Sequence, residues 1–371
     1  MEPKSNFYVI ILAAGYATRL KPLSNRIPKP LIDINGKTLI SRIILNFKEA
    51  GFTKFCVITG YKKELIENEV FKHDDLQISV IDQDKPTGMA DAIVLALDYI
   101  LEKEENITNF FISAADIIFS KEVIIKMYNL YTHSKFVLSL MKSNDSEIAK
   151  GHGNVKISEN SDLTKDMDEK IGLKITDIIE KPKAHQILSY YYSLPLYLVN
   201  YEIRSSMNQI GISERGEKEF QDAIRKSLSN GMEIRGIRII EPELTTDNVG
   251  SYHLTNLKDV IKMNQRFLSV VNIPLRNNTT NKIIKPVNIK SETKIGKEVI
   301  IGPFAIIGKK CRIGDFCRLS NVIVYDNVIF SKSCTLDWCI VDDNVKLQEN
   351  FHAEESFITI NNKGKLEIIN F

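Results

Sequence analysis

The stretch Tyr8–Leu31, YVIILAAGYATRLKPLSNRIPKPL, passes from an apolar run into a loop of small residues that carries two cations, Arg19 and Lys29. A short apolar run bounded by small residues, here Tyr8 to Leu12, predicts a buried parallel strand. A strand that feeds a small-residue loop with two cations has the makings of a phosphate site. Gly15 and the alanines around it, Ala13, Ala14 and Ala17, let backbone N–H groups approach an anion, and Thr18 adds a hydroxyl. Arg19 offers a planar fork to phosphate oxygens and Lys29 a mobile point charge. On the loop alone, a tight strand-to-helix turn with two solvated surface cations is the competing reading.

Outward from this loop, short apolar runs alternate with amphipathic ones. Gly36–Gly51 places Leu39, Ile43, Phe47 and Ala50 on one helical face and stops on glycine. Strands are expected at Phe55–Thr59, Ile78–Asp82 and Asn109–Ala114, with helices at Lys63 to about Phe71, Met89–Leu101 and Lys121–Tyr131. That alternation predicts βαβ units and a mostly parallel, Rossmann-like sheet. Asp116 follows the strand Asn109–Ala114, at the strand end where ligands sit in open α/β sheets. Further on, strands are read at Phe136–Met141, Gly153–Ile157, Leu173–Ile179, Leu196–Val199 and Ile234–Glu241, helices at Glu217–Leu228 and Ser251–Leu268, and a polar surface hairpin or loop at Ser158–Gly172.

The tail has another period. Ile289, Ile295, Ile301, Ile307, Ile313 and Leu319 recur every six residues, and Gly296, Gly302, Gly308 and Gly314 each follow an aliphatic. This is the mark of a parallel β-helix of hexapeptides, with the aliphatic pointing inward and the glycine allowing the corner. The rhythm loosens through Val324, Leu336, Val341 and Leu347, which predicts about four imperfect coils. The expected organisation is a catalytic α/β domain over 1–268, a linker over 269–285 and a left-handed parallel β-helix over 286–371.

Composition narrows the function. With 49 basic and 47 acidic side chains the formal net charge is +2, no footprint for nucleic acid or an anionic membrane. No apolar run approaches the roughly 18 residues that span a bilayer, and the N-terminus has no signal-peptide pattern, so a cytoplasmic protein is expected. The five cysteines, Cys56, Cys311, Cys317, Cys334 and Cys339, form no close pair and are read as free thiols, those of the tail as small inward or corner residues. His152 and His352 are read as surface residues.

These motifs together resemble the sugar-1-phosphate nucleotidylyltransferases, the pyrophosphorylases that make nucleotide sugars. The family's G-x-G-T-R loop followed by P-K reads here Gly15-Tyr16-Ala17-Thr18-Arg19 and Pro28-Lys29, with Ala17 in place of the common glycine. Gln83 precedes Gly88 and Met89-Ala90-Asp91-Ala92 at the family's base-recognition spacing. Asp116 stands at its strand-end metal carboxylate, Glu180-Lys181-Pro182 matches its E-K-P, and Arg215-Gly216-Glu217 with Asp222 looks like the segment ahead of its lid helix. Asp247-Asn-Val-Gly250 resembles its D-x-G element with one extra residue.

The resemblance implies transfer of a nucleotidyl group from a nucleoside triphosphate to a sugar-1-phosphate, with release of pyrophosphate. It implies Mg²⁺ held by Asp116 and Asp247, Arg19 on the β- and γ-phosphates, Lys29 on the α-phosphate, Lys181 on the sugar phosphate and Glu180 on sugar hydroxyls. Leu12, Ala13, Ala14, Gly15, Thr18, Gln83 and Gly88 would line the nucleotide. A carboxamide at Gln83 suits the N3–H and C4 carbonyl edge of uracil or thymine, so UTP or dTTP is expected, with glucose-1-phosphate and N-acetylglucosamine-1-phosphate both open. The alternatives are a mannose-1-phosphate guanylyltransferase, a cytidylyltransferase of phosphocholine type, and a non-catalytic regulatory homologue. The β-helix is expected to serve homo-oligomeric assembly, without acetyl transfer of its own.

Overall fold

The computed structural model describes residues 4–84, 87–131, 134–158, 172–239, 253–269 and 280–371. Packing divides the chain into two compact units: Met1–Ala17, Pro28–Ile32 and Thr38–Thr245 make the first, and Thr18–Ile27, Asp33–Lys37 and Thr246–Phe371 the second.

In the first unit the described residues form a mixed sheet of nine strands: β1 (Phe7–Leu12), β2 (Lys54–Thr59), β3 (Gln77–Asp82), β4 (Asn109–Ala114), β5 (Phe136–Lys142), β6 (Gly153–Ile157), β7 (Leu173–Glu180), β8 (Tyr191–Asn200) and β9 (Arg235–Arg238). Their spatial order is β3-β2-β1-β4-β8-β5-β9-β7-β6. Strands β3, β2, β1 and β4 run parallel, and β8 returns antiparallel beside β4. Both faces of the central strands are buried, which is why they read as continuous apolar runs and not as alternating ones. On one face Tyr8, Ile10, Ile58 and Ile112 pack with Ile93 and Leu97 of helix α3 (Met89–Lys103). On the other, Phe111 meets Phe47 and Phe52 edge-on, with ring centroids 5.2 and 5.0 Å apart. Phe47 belongs to α1 (Leu39–Glu49), whose first turn is capped by Thr38 accepting from the Ser41 N–H. Helices α2 (Lys63–Val70), α4 (Lys121–Tyr131) and α5 (Phe220–Ser229) belong to the same unit, with two shorter helices at Ser146–Gly151 and Ile203–Met207.

Several expected bounds shift for local reasons. Strand β8 is longer than Leu196–Val199 because its register against β5 slips between Ser193 and Tyr197, which accommodates Pro195 within the strand. Helix α5 starts at Phe220, three residues later than expected, because Glu219 is still extended at φ −81° and ψ 132°. Of the strand expected at Ile234–Glu241, the described residues form Arg235–Arg238, and 240–241 lie outside the described residues. Most of the Ser158–Gly172 segment, and the linker residues 270–279, lie outside the described residues.

The second unit holds helix α6 (Leu257–Ser269) and the parallel β-helix. Three inward columns run along it. Ile283, Ile301, Leu319, Leu336 and Ala353 stack in one, Ile289, Ile307, Val324, Val341 and Ile358 in the next, and Ile295, Ile313, Phe330 and Leu347 in the third. Two residues before several of these column residues sits a second, smaller inward residue. Ala305, Cys311, Cys317, Cys334 and Cys339 fill such places, so the tail thiols are free, buried core atoms.

The corners are left-handed residues at six-residue steps, Glu292, Glu298, Phe304, Lys310 and Phe316, and the next, Asn321, comes after five. The same shortened side returns at Trp338 and Glu355, so each later coil is one residue shorter. The glycines therefore have a different task from the corner role expected of them. Gly296, Gly308 and Gly314 lie where a Cβ would come within 2.8 Å of the next coil's backbone, and side chains other than glycine take the positive-φ corners. The expected tail start at 286 is preceded by a rung at Lys282–Ile283. The last long strand, His352–Ile360, pairs antiparallel with Leu366–Asn370.

Candidate functional site

The C-terminal ends of four adjacent parallel strands gather the first group of residues. Ala13 donates its N–H to the Ile58 carbonyl at 2.8 Å, and Gln83 donates its N–H to the Thr59 carbonyl at 2.7 Å. Gly60 fits beside them because a Cβ there would stand 3.1 Å from the Ala14 carbonyl oxygen. The Gln83 side chain is largely buried at this strand end. A carboxamide offers a donor and an acceptor side by side, the pair that reads an amide-like ligand edge. Gly15, Tyr16 and Thr18 are exposed, and the Tyr16 ring lies 6.0 Å from that of Tyr61.

Asp116 stands in the turn after β4, and its carboxylate receives the Lys29 ammonium at 2.8 Å. It does not cap a helix: α4 begins only at Lys121. Both partners are largely shielded, with side chains 18% and 24% exposed, so this is a meaningful pair and not a surface contact. Carboxylate oxygens are hard donors of the kind a divalent ion takes, though no cluster of three or more His, Cys, Asp or Glu side chains forms among the described residues. Asp247 lies outside the described residues. Arg19 sits in a short 3-10 turn, Thr18–Leu20, in the second unit, with its side chain exposed.

A third group closes on Glu180 at the end of β7. Arg215 Nη1 lies 3.6 Å from Glu180 Oε1 and 3.0 Å from Glu219 Oε1, so one guanidinium spans two carboxylates. Lys181 Nζ is 3.7 Å from Glu180. The other Glu180 oxygen, Oε2, is buried without a hydrogen-bond partner. Burial pushes the Glu180 carboxyl up to about 7; Lys181 draws it down, Glu219 raises it, and Arg215 draws it down. Lys181 itself has φ 43°, a strained conformation, and its N–H bonds the His152 carbonyl at 3.0 Å. His152 is half-buried, its ring 4.9 Å from that of Tyr192.

Sequence reasoning missed Glu219 and Tyr197. Tyr197 is fully buried, raised in pKa chiefly by burial and also by the Glu180 and Asp116 charges, and its hydroxyl accepts from Gln221 at 3.3 Å. A carboxylate flanked by helix-forming residues gives no sequence cue that it will be buried beside another.

Two backbone positions in this region give direct tests. At Gly88, φ is 126° and an added Cβ would stand 2.6 Å from the Lys218 carbonyl oxygen. Gly88→Ala should therefore cost about 2 to 3 kcal/mol in urea unfolding. Ala17 sits at φ 50° where the resembled family carries glycine. The left-handed conformation costs about 1 to 2 kcal/mol for alanine, while glycine loses about 0.4 to 1 kcal/mol through unfolded-chain entropy. Ala17→Gly is thus expected to leave stability within about 1 kcal/mol of the natural protein, on the stabilising side, by the same measurement.

Known proteins resemble this chain in sequence and fold. The family model described as nucleotidyl transferase matches residues 8–237, and one described as GMPPB C-terminal domain matches 283–363. A protein named bifunctional protein GlmU, from Methanococcus maripaludis, is 30% identical over 232 residues, which cover 62% of this chain and 49% of that protein. A UTP–glucose-1-phosphate uridylyltransferase, AglF, from Haloferax volcanii is 27% identical over 62% of this chain and 87% of its own length. The chain thus spans about half the length of the GlmU proteins it matches. A crystal structure of UDP-glucose pyrophosphorylase complexed with UDP-glucose shares the fold, with a TM-score of 0.54 at 21% identity over 64% of this chain and 90% of that one. A family model that matches well over half of the sequence, over a span that includes Lys29, Gln83 and Asp116, settles the family: the chain belongs to the nucleotidyl transferases.

Proposed function

We propose that the protein transfers a nucleotidyl group from UTP or dTTP to a sugar-1-phosphate, glucose-1-phosphate or N-acetylglucosamine-1-phosphate, and releases pyrophosphate. The observation that carries this reading is the Lys29–Asp116 pair at the end of β4, one strand away from the small-residue ledge after β1. A phosphate oxygen of the sugar phosphate attacks the α-phosphorus, that O–P bond forms, and the bond to the β-phosphate oxygen breaks. The attacking oxygen is already ionised, so no general base is required. The barrier is the approach of anions, which positioned cations lower.

Lys29 is assigned to the α-phosphate, Arg19 to the β- and γ-phosphates and Lys181 to the sugar phosphate, with Glu180 accepting from sugar hydroxyls. Leu12, Ala13, Ala14, Gly15, Thr18 and Gly88 form the nucleotide's backbone ledge, and Gln83 pairs with the pyrimidine edge. Asp116 and Asp247 would hold Mg²⁺, which when bound neutralises phosphate charge. The catalytic domain is taken as 1–268 and the β-helix domain as 286–371, joined by 269–285, in a cytoplasmic homo-oligomer assembled through the β-helix. Among the described residues no helix is long and apolar enough to cross a membrane.

The test is pyrophosphate release from a matrix of nucleoside triphosphates by sugar-1-phosphates with Mg²⁺. A pyrimidine triphosphate with one of the two glucose-type phosphates should give the highest kcat/KM. GTP with mannose-1-phosphate turning over faster than any pyrimidine pair would reverse the base assignment.

A further inference from the structure

Residues 18–27 follow the Gly15 loop directly, yet they pack with the second unit, which contains the β-helix. The contact responsible is specific. Arg26, at the end of the short helix Leu23–Arg26, sends one guanidinium nitrogen to Asp342 and the other to Asp343. The guanidinium carbon also lies over the ring of Tyr325, 5.0 Å from its centroid. The receiving carboxylates are themselves fixed: Thr359 donates its hydroxyl to Asp342 at 2.9 Å, and Asp343 accepts the Asp326 N–H at 2.8 Å. A guanidinium split between two anchored carboxylates and stacked on an aromatic ring has little freedom left.

A second stitch repeats the pattern at residues 33–37. The Asn35 N–H donates to Asn264 on α6 at 2.7 Å, Asn288 donates to the Asn35 side chain at 2.8 Å, and Lys290 reaches Asp33 at 3.2 Å. Two of the three short segments between Thr18 and Lys37 are thus held by the tail.

We propose that the β-helix positions the triphosphate-binding loop: Arg26, clasped by Asp342 and Asp343, fixes the segment Thr18–Ile27 and with it Arg19, and so serves as a positioning residue for the nucleoside triphosphate. The tail then takes part in substrate binding in addition to any assembly role. This rests on the assignment of Arg19 to the leaving phosphates. Arg26 touches no substrate; its effect passes through the four-residue helix that starts at Leu23.

Arg26→Ala should raise KM for the triphosphate, and for pyrophosphate in the reverse reaction, about tenfold, with KM for the sugar phosphate unchanged. Arg26→Lys, which keeps one charge but not the double fork, should recover part of the loss. Asp342→Asn/Asp343→Asn should reproduce it, and combining it with Arg26→Ala should add nothing further. Hydrogen exchange gives a reading independent of catalysis: amides of 20–27 should exchange faster in Arg26→Ala while those of β1 and β4 do not. Unchanged exchange at 20–27 would overturn the inference whatever the enzyme's substrate. Faster exchange there with an unchanged triphosphate KM, or with both substrates weakened equally, would overturn the catalytic part. Failure of the proposed reaction is seen separately, as no pyrophosphate release by the natural protein with any pair tried.

Discussion

Asp116→Asn is expected to lower kcat for pyrophosphate release by about a thousandfold while the fold survives. The substitution keeps the shape of the side chain and removes its charge. Two consequences follow from the 2.8 Å pair with Lys29. The ammonium loses the partner that holds it at the end of β4, and the carboxylate no longer offers an anionic ligand for a divalent ion. Both side chains retain some solvent, so the stability cost should stay near 1 to 2 kcal/mol, well short of what a fully buried pair would lose. Circular dichroism and urea unfolding check the fold; steady-state pyrophosphate release checks the chemistry. Wild-type turnover by Asp116→Asn would remove this residue from the catalytic set.

Glu180→Gln is expected to change how stability depends on pH. The Glu180 carboxyl is raised from an ordinary 4.5 to about 7 by burial. The folded state therefore holds its proton more tightly than the unfolded chain does. The contribution is fully present below pH 4.5, declines as pH rises, and is gone above about 7. Its size is at most about 3.5 kcal/mol, taking about 1.4 kcal/mol for each pH unit. The glutamine variant should lose that slope and stand more stable than the natural protein at pH 8, because Oε2 is no longer a buried anion without a hydrogen bond. It should also bind sugar phosphate more weakly, with its KM no longer changing as pH passes through 7. Denaturation curves at five pH values for each protein decide this; superimposable curves would show that Glu180 carries no such penalty.

The catalytic sheet was legible because its central strands are apolar on both faces, and such runs, broken by Gly15, Gly51 and Gly88, are hard to read otherwise. The β-helix was legible from the six-residue recurrence of Ile289 to Leu319, and the small inward thiols agreed with it. What the sequence hid was of two kinds. Strand β8 runs well ahead of the expected Leu196, through Pro195, a poor strand residue that a register slip beside Ser193 tolerates. The Glu180–Arg215–Glu219 cluster joins β7 to the segment before α5, and side chains that distant in the chain announce no pairing. The two residues of the Lys29–Asp116 pair were each legible as site candidates, but their contact was not, since nothing in their spacing requires it.

The corner at Asn321, reached in five residues instead of six, makes the β-helix a counting device with one adjustable side. Of the three sides in each coil, two keep six residues and set which side chains face inward. Only the side ending at Asn321, Trp338 or Glu355 has given one up, and the columns through Leu319, Leu336 and Ala353 remain aligned. Length changes should therefore be tolerated on that side alone. A residue inserted just ahead of Trp338 restores a full side, whereas one inserted between Asn327 and Val328 overfills a six-residue side and throws Phe330 and the inward residues after it out of their columns.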